Sequence, residues 1–190
     1  MDMPEWELHN KWAARMGISI EVANYVNSLI DLPEKSPEYL DFCLDFCTDA
    51  TKRNDFHDEL RNKEPLIARA FEDLYSLPDL KDPKKSKSHL DFFCNFLSIG
   101  HDTSRSNKLQ AYIQLKFLRH RGNEYVKAWY LRHFLDYTQQ LYQFPREEIL
   151  ERLSDRIDCC HEFDAVESFV RSHWEDIQQD LGYLGRDEKT

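Results

Sequence analysis

Apolar side chains recur at three- and four-residue intervals through most of this chain, the spacing of a helix with one buried face. The first such stretch covers about 5–15 and stops at Gly17, a residue that suits the left-handed turn after a helix. Ser19 is placed to cap a second helix over 20–31, which Pro33 ends. Ser36-Pro37 opens a third, whose Tyr39, Leu40, Cys43, Leu44 and Cys47 form one stripe. A longer helical region begins at Asn54 or Asp55, runs to about Tyr75, and is split by Pro65. Further helices are predicted over 89–99, from 103 or 104 to 120, over 124–143, from Pro145, and over 164–181. No stretch alternates with the period of a strand. The pattern therefore predicts an all-α protein, a compact multi-helix bundle of roughly eight or nine helices.

The segment 77–87 carries two prolines and four lysines and reads as a surface loop. Each half of the chain shows wide apolar faces, so 1–184 is expected to form a single domain, with 185–190 a polar, frayed tail.

The helix over 124–143 differs from the others. It is apolar or aromatic on nearly every side, the pattern of a helix at the centre of a bundle. It nevertheless contains His133 and Asp136, three residues apart and on one face. An imidazole and a carboxylate in an interior require a partner, a proton or a metal.

Composition narrows the function. The chain has 190 residues, and its formal net charge is -10, so most of its surface repels a phosphate backbone. Non-specific nucleic-acid binding is disfavoured. No run of about 18 apolar residues exists for a membrane span, and Met1 to Glu7 lack the apolar core of a signal peptide. A cytoplasmic protein is expected. The cysteines, Cys43, Cys47, Cys94, Cys159 and Cys160, are odd in number and match no zinc-finger or disulfide spacing. They read as reduced, largely structural thiols.

A second His/Asp pair, His101-Asp102, follows Gly100. With His9 near the start and Asp136 in the central helix, the chain order is H, then HD, then D. That order resembles the metal-dependent phosphohydrolases of the HD superfamily, which are all-helical. The resemblance implies a divalent ion (Mn, Zn or Mg) held by His9, His101, Asp102 and Asp136. It also implies a small phosphoester substrate, with His133 as an extra ligand or a general acid. Imidazole and carboxylate suit mid-row divalent cations, which activate a bound water. Structural roles stand beside this reading. Asp102 is placed to cap a helix, and Arg132 and Asp136 have i,i+4 spacing for an ion pair. His133 could be a core histidine bonded to a backbone carbonyl. The protein would then be a non-catalytic helical interaction module.

Residues 12–27 are similar to the helix-turn-helix of bacterial and archaeal regulators. Ala13 and Gly17 stand four apart, Ile18 would fill the angle, Ser19 would cap, and Val26 would face inward. The second helix would offer Glu21, Asn24, Asn27 and Ser28 to a groove, with Lys11 and Arg15 as nearby cations. The other reading is a plain helical hairpin. The lysines of 81–87 have no interleaved aromatics to stack bases, and Cys159-Cys160-His161 lacks a second cysteine pair for zinc.

Overall fold

A computed structural model describes residues 6–76, 82, 85, 108–154 and 161–182. Among them every regular element is a helix: α1 Trp6–Arg15, α2 Ile20–Asp31, a 3-10 turn Pro33–Lys35, α3 Pro37–Thr48, α4 Ala50–Lys63 and α5 Pro65–Tyr75. These are followed by α6 Lys108–Arg119, α7 Asn123–Gln140, α8 Arg146–Ser154, α9 His161–Ser172 and α10 Trp174–Asp180. The all-α expectation holds, with ten α-helices among the described residues. The helix expected over 89–99, most of the 77–87 loop, and the tail lie outside them.

The chain forms two compact units. One comprises residues 1–27 together with 118–190, and the other comprises 28–117. The divisions fall inside α2 and α6, not at the proline-lysine stretch.

Local chemistry explains most boundaries. The Ile18 amide bonds to the Ala13 carbonyl and the Gly17 amide to that of Ala14, while Gly17 has φ +82°. This double closure ends α1 and needs a left-handed residue, which glycine supplies without a Cβ penalty. Ser19 Oγ then accepts from the Val22 amide at 3.2 Å and starts α2. Ser36 caps α3 in the same way, accepting from Tyr39 N. The α4 start was misplaced in the sequence: Asp49, not Asn54 or Asp55, is the cap. Its Oδ1 accepts from the amides of Thr51 and Lys52 at 2.9 and 3.1 Å. Pro65 does split α4 from α5. The expected 164–181 helix begins instead at His161 and breaks at His173, whose φ is -118°.

In the first unit, α7 is the hub. It packs against α1, α8 and α9, and its residues from Ala128 to Thr138 are all buried. Trp12, Trp129, Phe134, Phe163 and Val166 are each essentially inaccessible. Burying each such side chain stabilises by about 1.5–3 kcal/mol before entropy is counted. In the second unit, α3, α4 and α5 surround an aromatic cluster. Phe46 stacks on Phe56 at 5.2 Å and meets Phe71 edge-on at 5.5 Å; Phe71 lies 4.6 Å from Tyr75. Offset and edge-on rings are the favoured aromatic geometries.

Candidate functional site

His9 sits on the buried face of α1, one turn before Trp12 and Ala13. Asp136 projects from α7 toward the same interior. Their side chains are 3% and 1% exposed, and His9 Nε2 lies 3.1 Å from Asp136 Oδ1. Two of the residues singled out in the sequence thus meet from positions 127 apart in the chain.

Arg132 completes the arrangement from one turn earlier on α7. Its Nε donates to Asp136 Oδ2 at 3.0 Å, and its Nη1 lies 2.9 Å from His9 Nδ1 and 3.3 Å from Asn27 Oδ1. Arginine has donors only, so His9 Nδ1 is the acceptor and carries no proton. A neutral imidazole in that state holds its proton on Nε2, which then donates to Asp136. The cluster therefore contains one cation, one anion and a neutral ring. A polar chain continues outward: Asn27 Nδ2 donates to Asn10 Oδ1 at 3.4 Å, and Asn10 Nδ2 donates to Asn24 Oδ1 at 2.7 Å. His9, Arg132 and Asp136 each have further interactions beyond these.

The i,i+4 ion pair read in the sequence as an alternative is thus present. In an exposed helix such a pair is worth only a few tenths of a kcal/mol. Here it is buried, where attraction and desolvation are both larger.

The donor set suits a divalent ion in part. Two donors on one ion, at bonds of about 2.0–2.2 Å, lie roughly 3.0–3.5 Å apart, and Nε2 and Oδ1 have that separation. Arg132 Nε touches Asp136 Oδ2 as an outer-shell partner would, but its Nη1 meets His9 Nδ1 as a donor, where a metal-bound imidazole needs an acceptor. The conflict is one of protons. An Nε2 that binds an ion must lose its proton to Nδ1, and Nδ1 can then no longer accept from Arg132. His9 and Asp136 therefore fit an ion once Arg132 Nη1 turns to Asn27, to which it already donates.

The other expected site residues stand apart from this geometry or outside it. His133 is fully buried, with its ring 4.0 Å from that of Trp129, and it too has further interactions. His101 and Asp102 lie outside the described residues. Among the described residues, no three or more of His, Cys, Asp and Glu gather as a metal group.

The corner between α1 and α2 has the expected Gly17, buried Ile18 and Ser19 cap, but its polar groups are otherwise engaged. Asn27 is buried against Arg132, and Asn24 is bonded across the hairpin to Asn10. Lys11 pairs with Asp180 at 2.6 Å; Arg15 pairs with Asp176 at 2.9 Å and lies over the Trp12 ring. The roles of Arg132 and Asn27 toward His9 were not read from the sequence. One signal was available: Asn27 falls on the same helical face as Ala23 and Ile30.

Cys43 is buried, and Cys47 is a half-buried thiol. Burial pushes the Cys47 thiol up against the opposing pull of Arg53, which keeps it protonated and unreactive. No described helix is long and apolar enough to cross a membrane. The chain matches no family model, no curated protein and no solved structure.

Proposed function

We propose that the protein is a metal-dependent hydrolase of small phosphoesters, with His9 and Asp136 forming part of its ion site. The observation that carries this reading is the 3.1 Å approach of His9 Nε2 to Asp136 Oδ1 inside the first unit. These are the two outer members of the H, HD, D order; the resemblance assigns the inner two to His101 and Asp102. A bound Mn²⁺, Zn²⁺ or Mg²⁺ would supply a hydroxide at neutral pH and polarise the phosphoryl oxygen. The chain's own residues prepare for it. Arg132 Nε holds Asp136 Oδ2 and fixes the rotation of the carboxylate. Asn27 offers Arg132 Nη1 a second acceptor, so His9 can release it. The reading takes the protein to be cytoplasmic, with its thiols reduced.

A second reading is favoured by the Arg132–His9 bond and by the burial of the cluster. His9, Arg132 and Asp136 satisfy one another as they stand, and together they pin α1 to α7. The protein would then be a non-catalytic interaction module that works through its surface.

The two readings separate in one experiment. Full-length protein from metal-supplemented medium is subjected to elemental analysis, then assayed on bis(p-nitrophenyl) phosphate and nucleotides with Mn²⁺, Co²⁺ or Zn²⁺. A stoichiometric ion and hydrolysis, both lost in His9→Ala and Asp136→Asn, are expected. Absence of both ion and turnover overturns the hydrolase and leaves the interaction module.

A further inference from the structure

We propose that a cleft between α4 and α5, in the second unit, binds a small organic anion through the guanidinium of Arg53. The cleft has a volume of about 200 Å³, below the range of roughly 300–1,000 Å³ that holds drug-sized ligands. Arg53, Asn54, His57, Glu72 and Ser76 form its polar lining, with the buried Phe71 and Tyr75 beneath them.

Arg53 is the centre of the argument. Its Nη1 donates to the carbonyls of Phe46 and Cys47 at 2.8 and 3.3 Å, at the end of α3. This fixes the guanidinium while leaving Nε and Nη2 without a protein acceptor among the described residues. Nor does any described carboxylate pair with it, although the chain holds 35 acidic against 25 basic residues. A held arginine fork with spare donors matches the two oxygens of a carboxylate or phosphate.

The neighbours add donors. His57 Nδ1 lies 3.2 Å from Arg61 Nη2, so Nδ1 accepts and the ring proton sits on Nε2. That nitrogen is 3.7 Å from Glu72 Oε2, too far for a hydrogen bond. The Asn54 amide and the Ser76 hydroxyl are exposed at the rim. Glu72 is the opposing charge, and it is largely solvated. Donors lining a cleft of about 200 Å³ select an oxyanion head on a short body.

The test is a titration of full-length, ¹⁵N-labelled protein with phenyl phosphate, benzoate and inorganic phosphate. EDTA is present, so this experiment and the hydrolysis assay fail separately. Phenyl phosphate or benzoate should give saturable shifts at the Arg53, His57 and Ser76 amides, with a dissociation constant of order millimolar for so small a ligand. The organic probes should bind more tightly than inorganic phosphate, and whichever binds better names the head group. Arg53→Lys keeps the charge but loses the fork, and should weaken binding about tenfold. Because Arg53 also holds the end of α3, Glu72→Gln provides a second arm: loss of the opposing charge should tighten binding about twofold. The proposal is overturned by the absence of saturable shifts at tens of millimolar of every probe. Binding that neither substitution alters overturns it equally.

Discussion

The two units solve the problem of a core differently. The interior of the second is a set of rings, Phe46, Phe56, Phe71 and Tyr75, packed on one another, with the Tyr75 hydroxyl donating to the Cys43 carbonyl. The first has rings too, but at its centre it keeps a charged pair and an imidazole, Arg132, Asp136 and His9. Aromatic packing stabilises in proportion to area and tolerates loss by degree. A buried ion pair gains little net stability, because desolvation offsets attraction, yet removing one partner is severe. The proposed function therefore rests on the charged cluster of the first unit, whose net contribution to stability is small.

Substitutions break this comparison in order of size. Asp136→Ala leaves Arg132 buried without its carboxylate and should cost about 3–5 kcal/mol in urea denaturation. The triple change His9→Leu, Arg132→Met and Asp136→Leu, which leaves none of the three buried without its partners, should recover most of that loss while abolishing any metal binding. Phe46→Ala should cost a comparable 3–5 kcal/mol through the cavity it leaves, and no second change of similar chemistry should restore it. If the triple variant in the first unit stays as unstable as Asp136→Ala, the contrast between the units fails. Asp49→Ala removes the α4 cap and should cost about 1 kcal/mol.

The smallest effect lies at the surface. Hydrogen bonds from Arg171 and Arg146 hold the Glu147 carboxyl below its usual range. A depressed carboxyl contributes stability that is full above the unfolded-state pKa and is lost as pH falls through the folded-state value. Arg171→Gln should therefore lower stability slightly at neutral pH, and this deficit should fade as pH falls below about 4.5, the ordinary carboxylate value, so that the acid limb is flatter. A thermal-melt series from pH 3 to 7, in about half-unit steps, reads this directly.

The helices were legible because their signals are local. Gly17, Ser19, Ser36-Pro37 and Pro65 each mark an end through backbone chemistry within four residues. Asp49 was passed over because Asn54 and Asp55 offer the same chemistry a turn later, and only packing of Phe56 and Leu60 selects between them. The burial of α7 followed from an apolar pattern on every side. Members of the buried cluster were legible, and its wiring less so. His9 and Asp136 were named, and the Arg132–Asp136 pair was seen as i,i+4. The bond from Arg132 to His9 joins positions 123 apart, and no periodicity encodes such a contact. In sequence Asn27 reads as a groove-facing residue, because its burial against Arg132 depends on α7, distant in sequence.

The protonation of His9 tests the functional reading most directly. Two-bond ¹H–¹⁵N spectra of the imidazole distinguish Nε2–H from Nδ1–H. Metal-free protein should show the proton on Nε2, as the Arg132 contact requires. Saturating Zn²⁺ should move it to Nδ1 and shift Nε2 to the frequency of a metal-bound nitrogen, with Asp136→Asn weakening the change. A His9 ring that keeps its Nε2 proton at saturating Zn²⁺ would contradict the hydrolase and leave the cluster as a clasp between α1 and α7.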